Sequence, residues 1–285
     1  MADGIPAAEK ELAFYGGSFT AIPVMQRTEL LQAAGDFVRE GGSIRVSTRP
    51  DCLNEETAAE LKRNGVKTVE LGCQSMDDGV LRESGRGHSA EDARSAVKAA
   101  RKAGLSVILQ MMTGLPGDTL EKALETAQSL AELKPDGVRI YPTVIVQDTP
   151  LYDLWQQGLY REHTVEQAVE WCCRILEVFD RAGVPVIRLG LNPSDELSGG
   201  AAAGGAYHPA FGELVLARRF LEKERALLTN LSEGPVTLAV NPSCVSQAVG
   251  NKRENLTVLR KEFPGILLKI EGLNSVEKGK VLVLA

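Results

Sequence analysis

From Glu11 to Leu191 the sequence alternates short β-rich runs with longer helical stretches, and this alternation limits the possible folds more than any other feature. The runs that predict strands are Glu11–Tyr15, Ser43–Thr48, Lys67–Cys73, Leu105–Met112, Val138–Thr143 and Val184–Leu191. The helices predicted between them are Val24–Arg39, Thr57–Lys62, Ser89–Ala103, Thr119–Leu133 and Thr164–Arg181. Asn54 is predicted to cap the second of these helices, and Ser89 with Asp92 the third. Because strands that alternate with helices through short connections pair in parallel, the chain is predicted to be an α/β protein.

A regular βα repeat without a dinucleotide-binding glycine fingerprint favours a full or partial barrel over a doubly wound sheet. In such a barrel the chemistry is located at the carboxyl ends of the strands. The candidate site is therefore formed by the residues that follow each predicted strand. These are Gly16-Gly17-Ser18, Ser47-Thr48-Arg49, Cys73-Gln74-Ser75, Thr113-Gly114-Leu115 and Tyr141-Pro142-Thr143.

A Gly/Ala-rich stretch at residues 198–206 predicts a linker. It would separate a barrel core, residues 1–197, from a C-terminal segment, residues 207–285. The elements predicted beyond it are a helix at Pro209–Leu228, a strand at Val236–Val240, a helix at Ser243–Phe263, a strand at Ile266–Ile270 and a last apolar run at Val281–Leu284. We expect these elements to form a small αβ lobe.

Charge and hydropathy exclude several classes of protein. The 32 Lys and Arg against 38 Asp and Glu give a net charge of −6, which argues against a dedicated nucleic-acid surface. No apolar run approaches the length of a membrane span, and Met1–Lys10 lacks the apolar core of a signal peptide. The five cysteines are irregularly spaced and odd in number, as is typical of reduced thiols. We therefore expect a cytoplasmic protein without membrane association.

Several short motifs follow one another on successive predicted loops. They are F-Y-G-G-S-F-T at Phe14–Thr20, S-T-R-P-D at Ser47–Asp51, V-E-L-G-C-Q-S-M at Val69–Met76, R-G-H at Arg86–His88, M-T-G-L-P-G-D-T at Met112–Thr119 and R-I-Y-P-T at Arg139–Thr143. Each motif alone is weak, because paired glycines often only form a turn. Together, from about Glu11 to Leu221, the series resembles the radical S-adenosylmethionine (radical SAM) superfamily. The most similar branch includes the Elongator catalytic subunit and oxygen-independent coproporphyrinogen oxidase.

The resemblance implies a partial (β/α)6-type barrel that lacks its first strand, with S-adenosylmethionine bound at the mouth. It places the Gly16-Gly17-Ser18 loop against the methionine amino group, and the planar guanidinium of Arg86 against the methionine carboxylate. Ser47 stands where relatives often carry a ribose-binding glutamate. The residues that match cofactor-binding positions are Gly16, Gly17, Ser18, Gln74, Arg86, Gln110, Thr113, Gly114 and Leu115.

One departure from the superfamily concerns its iron–sulfur cluster. Members carry C-x-x-x-C-x-x-C upstream of the glycine pair, and these thiolates bind three irons of a 4Fe–4S cluster. No cysteine precedes Gly16 here, and no other ligand set for a metal is predicted. The chain is then either truncated or a natural form without the cluster.

The complete form implied by the resemblance cleaves S-adenosylmethionine reductively to a 5′-deoxyadenosyl radical, which acts on an unknown substrate. RNA is a candidate substrate only through the resemblance, and we expect this chain to be inactive in that reaction. The alternative is a non-catalytic barrel that binds a nucleoside-like ligand or a protein partner. A barrel without its first strand also exposes the edge of Glu11–Tyr15, which predicts self-association.

Overall fold

The computed structural model describes residues 10–38, 41–195 and 197–284. The strands are β1 (Glu11–Phe14), β2 (Ser43–Thr48), β3 (Val66–Gln74), β4 (Ser106–Thr113), β5 (Gly137–Pro142), β6 (Val144–Val146), β7 (Val186–Leu189), β8 (Ala202–Gly205), β9 (Gly234–Val240), β10 (Ile266–Gly272) and β11 (Val281–Leu284). The α-helices are α1 (Val24–Phe37), α2 (Glu55–Arg63), α3 (Asp78–Glu83), α4 (Ala90–Lys102), α5 (Leu120–Glu132), α6 (Pro150–Gln156), α7 (Val165–Ala182), α8 (Phe211–Leu228), α9 (Val245–Val249) and α10 (Glu254–Glu262).

The main sheet has six parallel strands in the order β1-β2-β3-β4-β5-β7. Each successive strand is added beside the previous one, and helices connect them on the convex side, as the predicted βα repeat requires. The sheet is curled into a half-barrel, and a small separate sheet forms a C-terminal lobe. The predicted fold, a partial barrel with an αβ lobe, is confirmed.

The two faces of the main sheet differ in polarity. On the convex face Val46, Leu71, Leu109 and Ile140 are completely buried in one apolar core with the helices. Successive side chains of a strand point to opposite faces, so the residues between these apolar positions line the concave face. That face carries polar and charged side chains and forms the candidate site.

The helices begin where the sequence predicts capping residues. Asn54 Oδ1 accepts a hydrogen bond of 2.8 Å from the Thr57 N–H at the start of α2. Ser89 and Asp92 form a reciprocal capping box at the start of α4. These caps satisfy N–H groups that have no partner inside the helix, and they fix where each helix leaves the mouth of the half-barrel.

One predicted helix is wrong. The structure divides Ser243–Phe263 into α9 and α10, because Gly250, Lys252 and Arg253 have positive φ angles of 77°, 48° and 66°. The side-chain amide of Asn255 donates to the carbonyls of Gln247 and Ala248, at 3.2 and 3.1 Å. These bonds satisfy carbonyls at the end of α9, so the chain turns there instead of continuing the helix.

The Gly/Ala-rich stretch contains β8, which pairs antiparallel with β6. The division into residues 1–197, 198–206 and 207–285 stays a prediction. Helices α3 and α6 were not predicted, because both are too short for a clear hydrophobic period.

The C-terminal lobe is a three-stranded sheet in the order β10-β9-β11, in which β10 is parallel and β11 antiparallel to β9. Helix α8 packs on α7 on one side and on α9, α10 and β11 on the other, so it joins the lobe to the half-barrel. Within the described residues β1 pairs only with β2. Self-association through the edge of β1 stays a prediction. None of the described helices has the length and apolar character needed to span a membrane.

Glu224 on α8 generates a prediction about the pH dependence of stability. Its side chain is completely buried, and neither carboxylate oxygen has a hydrogen-bond partner among the described residues. Burial raises the pKa of Glu224 to about 8. An unfolded glutamate has a pKa of about 4.3, so the folded state favours the protonated form and the free energy of unfolding falls as pH rises from about 4.3 toward the folded pKa.

We expect Glu224→Gln to raise the melting temperature at pH 8 and to leave it almost unchanged at pH 4, because the amide carries no charge to bury. Thermal melts at both pH values check this, with Glu222→Gln, an exposed residue of the same helix, as the control. An equal gain at both pH values would show that ionisation of Glu224 is not the cause.

Candidate functional site

Most of the predicted site residues lie along one edge of the main sheet, at the carboxyl ends of the parallel strands. Gly16 and Gly17 follow β1, Gln74 ends β3, and Thr113 ends β4. With strands about 4.8 Å apart, β1 and β4 lie about 14 Å apart along this edge. A ligand that contacts all of these residues must therefore be elongated.

The Gly16-Gly17 turn presents bare backbone at the mouth. Gly16 has a φ of 102°, a conformation that favours glycine, and a Cβ added to either glycine would meet no atom within 4 Å. The space around both residues is open, so packing does not explain the pair. Ser18 differs, because its hydroxyl accepts a 2.8 Å hydrogen bond from the Arg49 N–H and ties the turn to the end of β2.

Gln74 has a strained backbone and an unused acceptor. Its φ is 64°, and the pairing of β3 with β4 shifts between Gly72 and Gln74. The shift turns the side chain back over Gly72, where an added Cβ would lie 2.8 Å from Gln74 Nε2 and 3.8 Å from Gln110 Oε1. Gln74 Oε1 is buried and has no hydrogen-bond partner among the described residues. The glutamine is thus held in place with one polar atom unsatisfied.

Arg86 lies between α3 and α4 beside the end of β4. Its Nη2 contacts the sulfur of Met112 at 3.1 Å, and its buried Nε has no partner among the described residues. No ion pair joins Arg86 to a carboxylate of the described chain, and partial burial lowers the pKa of the guanidinium. Arg86 also lines a cavity of 310 Å³ together with Met112, Leu115 and Thr143. An anion in this cavity would compensate the charge.

The turn after β4 is held from three sides at Gly114, whose φ is 73°. Its N–H donates to Asp118 Oδ2 at 2.9 Å, and its carbonyl accepts from the Tyr160 hydroxyl at 2.6 Å. The ring of His163 occupies the space that a Cβ on Gly114 would need. Next to it, Thr113 Oγ1 is buried without a partner among the described residues. The turn is therefore rigid and keeps a free hydroxyl.

Burial determines the protonation of the groups around Gly114. It raises the pKa of Asp118 to about 6 and that of Tyr160 to about 12, and it lowers the pKa of His163 to about 4. At neutral pH Asp118 is consequently ionised and accepts from the Gly114 and Thr119 N–H groups. Tyr160 remains a donor, and His163 is neutral.

The sequence analysis missed a buried charge network on the concave face. Glu70 of β3 is completely buried, and its carboxylate accepts from the Tyr15 hydroxyl at 3.2 Å and from the Gln110 amide. Arg45 of β2 and Arg139 of β5 pair with the same carboxylate at 3.5 and 3.3 Å. The signal was present in the alternation of the predicted strands, which places all of these side chains on one face.

Gln110 therefore lies within the buried network, away from the open edge where the other predicted site residues are found. Its amide is already engaged by Glu70. His88, part of the R-G-H motif, is buried, and its Nε2–H donates a 3.0 Å hydrogen bond to the Cys73 carbonyl, which gives it a structural role.

The thiols of the described residues do not fit a 4Fe–4S cluster. Cys73, Cys172, Cys173 and Cys244 are buried free thiols, and Cys52 is partly exposed. Within the described ranges no group of three or more His, Cys, Asp or Glu side chains could hold a metal ion. Burial raises the pKa of Cys73 to about 12, so this thiol resists the deprotonation that iron binding requires.

Two sequence profiles match the chain. The radical SAM superfamily profile covers residues 4–130, and the radical SAM C-terminal domain profile covers residues 135–223. The chain belongs to the radical SAM superfamily. The resemblance to the Elongator branch is also confirmed, because relatives named Elongator complex protein 3 and tRNA uridine(34) acetyltransferase match the chain.

An uncharacterised protein of Methanocaldococcus jannaschii is 34% identical over 168 residues, which cover 58% of this chain and 52% of that protein. The tRNA uridine(34) acetyltransferase of Methanocaldococcus infernus is 29% identical, over 59% of this chain and 35% of that protein. Human Elongator complex protein 3 is 30% identical, over 58% of this chain and 34% of that protein. This chain thus spans about half, or less, of the length of these relatives.

Solved structures agree on the fold. Elp3 of Methanocaldococcus infernus with an N-terminal deletion has a TM-score of 0.64 and 24% identity, over 75% of this chain and 54% of that one. Coproporphyrinogen III oxidase of Escherichia coli, a radical SAM enzyme, has a TM-score of 0.52 and 19% identity, over 61% of this chain and 41% of that one. At these identities the likeness shows the fold alone.

The packing at Gly114 generates the prediction for the site. An alanine there must adopt a positive φ and displace the His163 ring. We expect Gly114→Ala to lower the melting temperature by roughly 5–10 °C. The control is Gly17→Ala, where the added Cβ meets no atom within 4 Å.

Adding His163→Ala to Gly114→Ala should restore part of the lost stability, because it removes the overlap with the ring atoms Cγ and Cδ2 and leaves only the overlap with Cβ. If Gly114→Ala melts like Gly17→Ala, the ring of His163 does not confine the turn.

Proposed function

We propose that this radical SAM domain binds S-adenosylmethionine across the mouth of its half-barrel. One observation carries the proposal. Three buried polar atoms have no hydrogen-bond partner among the described residues: Gln74 Oε1 at the end of β3, Thr113 Oγ1 at the end of β4, and Arg86 Nε beside the end of β4. Unsatisfied buried polar groups are costly, so three of them near one edge of the sheet support a polar ligand at that edge.

The chemistry of the three groups suits the parts of this ligand. The guanidinium of Arg86, which pairs with no described carboxylate, offers two parallel donors to the methionine carboxylate. The open backbone of Gly16 and Gly17 can approach the methionine amino group closely. The rigid turn at Thr113 and Gly114, with the spare acceptor of Gln74, suits the ribose and adenine.

When bound in this superfamily, a 4Fe–4S cluster supplies the electron that cleaves S-adenosylmethionine to a 5′-deoxyadenosyl radical. The described thiols do not fit that cluster, so the proposed activity of this chain is binding without cleavage. RNA is a candidate ligand only because a relative is named tRNA uridine(34) acetyltransferase.

The first test is binding of S-adenosylhomocysteine, which keeps the amino, carboxylate and adenosine groups. We expect Arg86→Ala to weaken binding by about tenfold or more in isothermal titration calorimetry, because a charge-assisted hydrogen-bond pair is lost. Arg86→Lys should recover part of the affinity through its charge. The control is Arg82→Ala, an exposed residue of α3. Equal affinities for wild type and Arg86→Ala would remove Arg86 from the site.

The second test addresses the cluster. After anaerobic reconstitution with iron and sulfide, we expect iron well below the amount for one cluster per chain, since no described group of three ligands is present. Iron analysis and visible absorption measure this. Stoichiometric iron with a broad visible band, lost in Cys73→Ser and kept in Cys244→Ser, would contradict the proposal and make the chain competent for cleavage.

A further inference from the structure

The concave face of the half-barrel is too polar to be a packed core. The interiors of complete barrels are commonly filled by Val, Ile and Leu. Here most of the corresponding positions on the main-sheet strands are polar, with Ile108 and Met112 as apolar exceptions: Arg45, Thr68, Glu70, Gln110, Arg139 and Arg188. Polar groups in such a place require partners, so this face is suited to a polar ligand.

Ion pairs between neighbouring strands form a row that runs diagonally across this face, and the charges in it alternate until the last position. Glu11 pairs with Arg45 at 2.7 Å, and Arg45 also pairs with Glu70 at 3.5 Å. Glu70 pairs in turn with Arg139 at 3.3 Å. Two carboxylates thus compensate two guanidinium groups, and no negative charge of this row is left over for β7.

Arg188 of β7 is the next residue in this row, directly opposite Arg139 in the strand register. Its Nε donates a hydrogen bond to the Gly190 carbonyl at 3.3 Å, and this bond orients the side chain. No carboxylate of the described residues forms an ion pair with it, although the residue is partly buried. The row therefore ends on an uncompensated guanidinium beside a second arginine.

Arg139 is fixed and does not rotate to meet a ligand. Its Nη1 and Nη2 donate to the hydroxyls of Tyr141 and Tyr15, at 3.3 and 3.0 Å. Arg188 keeps its two Nη groups for an incoming anion, and the adjacent positive charge of Arg139 strengthens the attraction. A planar guanidinium binds carboxylate and phosphate oxygens through two parallel hydrogen bonds.

Arg139 and Arg188 lie at a depth below the mouth that suits a second ligand. Gln110, which is opposite Arg139 in register, precedes Thr113 by three residues. At about 3.3 Å per residue, Arg139 and Arg188 therefore lie about 10 Å below the Thr113–Gly114 turn, which is proposed to contact adenosine. A small molecule could span from that depth to the mouth.

We propose that Arg188, supported by Arg139, binds the anionic group, a carboxylate or a phosphate, of a second ligand on the concave face. This inference rests on the proposed function only in placing that ligand beside S-adenosylmethionine. The anion-binding subsite itself is separate from the residues assigned to S-adenosylmethionine.

The test uses inorganic phosphate and acetate as probes, titrated into the full chain at low ionic strength and followed by calorimetry. We expect saturable binding of at least one probe, and a loss of about tenfold or more in affinity for Arg188→Gln. Saturation by phosphate alone identifies a phosphorylated ligand, and saturation by acetate alone identifies a ligand with a carboxylate. Arg181→Gln, an exposed arginine paired with Glu177, is the matched control and should bind like wild type.

Arg188→Gln should keep the wild-type melting temperature and its affinity for S-adenosylhomocysteine, which separates loss of the subsite from unfolding. Absence of saturation by both probes, or equal losses in Arg188→Gln and Arg181→Gln, would overturn the inference. If the wild type binds a probe through Arg188 but does not bind S-adenosylhomocysteine, the proposed function fails and the anion subsite stands.

Discussion

The fully buried carboxylate of Glu70 is the interaction on which the half-barrel depends. A charge removed from water is costly unless nearby groups compensate it, and here the compensation comes from every neighbouring strand. Tyr15 follows β1, Arg45 lies on β2, Gln110 on β4 and Arg139 on β5, and each contacts Glu70 on β3. One side chain thus connects five consecutive strands on the face that the helices do not cover.

This arrangement explains how an incomplete barrel has a defined inner surface. The convex face is stabilised by apolar packing against the helices, as in other α/β proteins. The concave face carries charged side chains instead, and each of them needs a partner there. An ion-pair and hydrogen-bond network solves this problem, because it can be satisfied laterally between neighbouring strands.

The mouth of the half-barrel differs from the concave face in how its polar groups are satisfied. There the backbone is rigid while several polar atoms are left unsatisfied. The Gly114 turn is fixed by Asp118, Tyr160 and His163, and Gln74 is held at a positive φ. Strain and unused hydrogen-bonding groups cluster at binding sites, because a fixed site loses little entropy when its ligand binds. The thiols that would complete a radical site in this superfamily are not among the described side chains.

Much of the fold was accessible from the sequence. Strand and helix order follow from local hydrophobic periodicity and capping residues, and Asn54 and Ser89 begin their helices as predicted. The motif series was specific enough to identify the superfamily, because several glycine and polar residues must recur in order at successive strand ends. The single helix predicted over Ser243–Phe263 failed because Asn255, which follows the break, bonds to carbonyls at the end of α9. No local pattern shows this contact.

The sequence by itself determined the alternation of strands and helices, the superfamily and the glycine turns at the mouth, since each depends on residues close together in the chain. Only the tertiary structure decided which polar side chains meet. Glu70 and Arg139 are far apart in sequence, and their pairing depends on strand order and register. The same is true of His163, whose ring reaches Gly114 only because the chain after α6 returns to the turn that follows β4. Charge compensation and close packing act through space, and for this reason they became visible only in the folded chain.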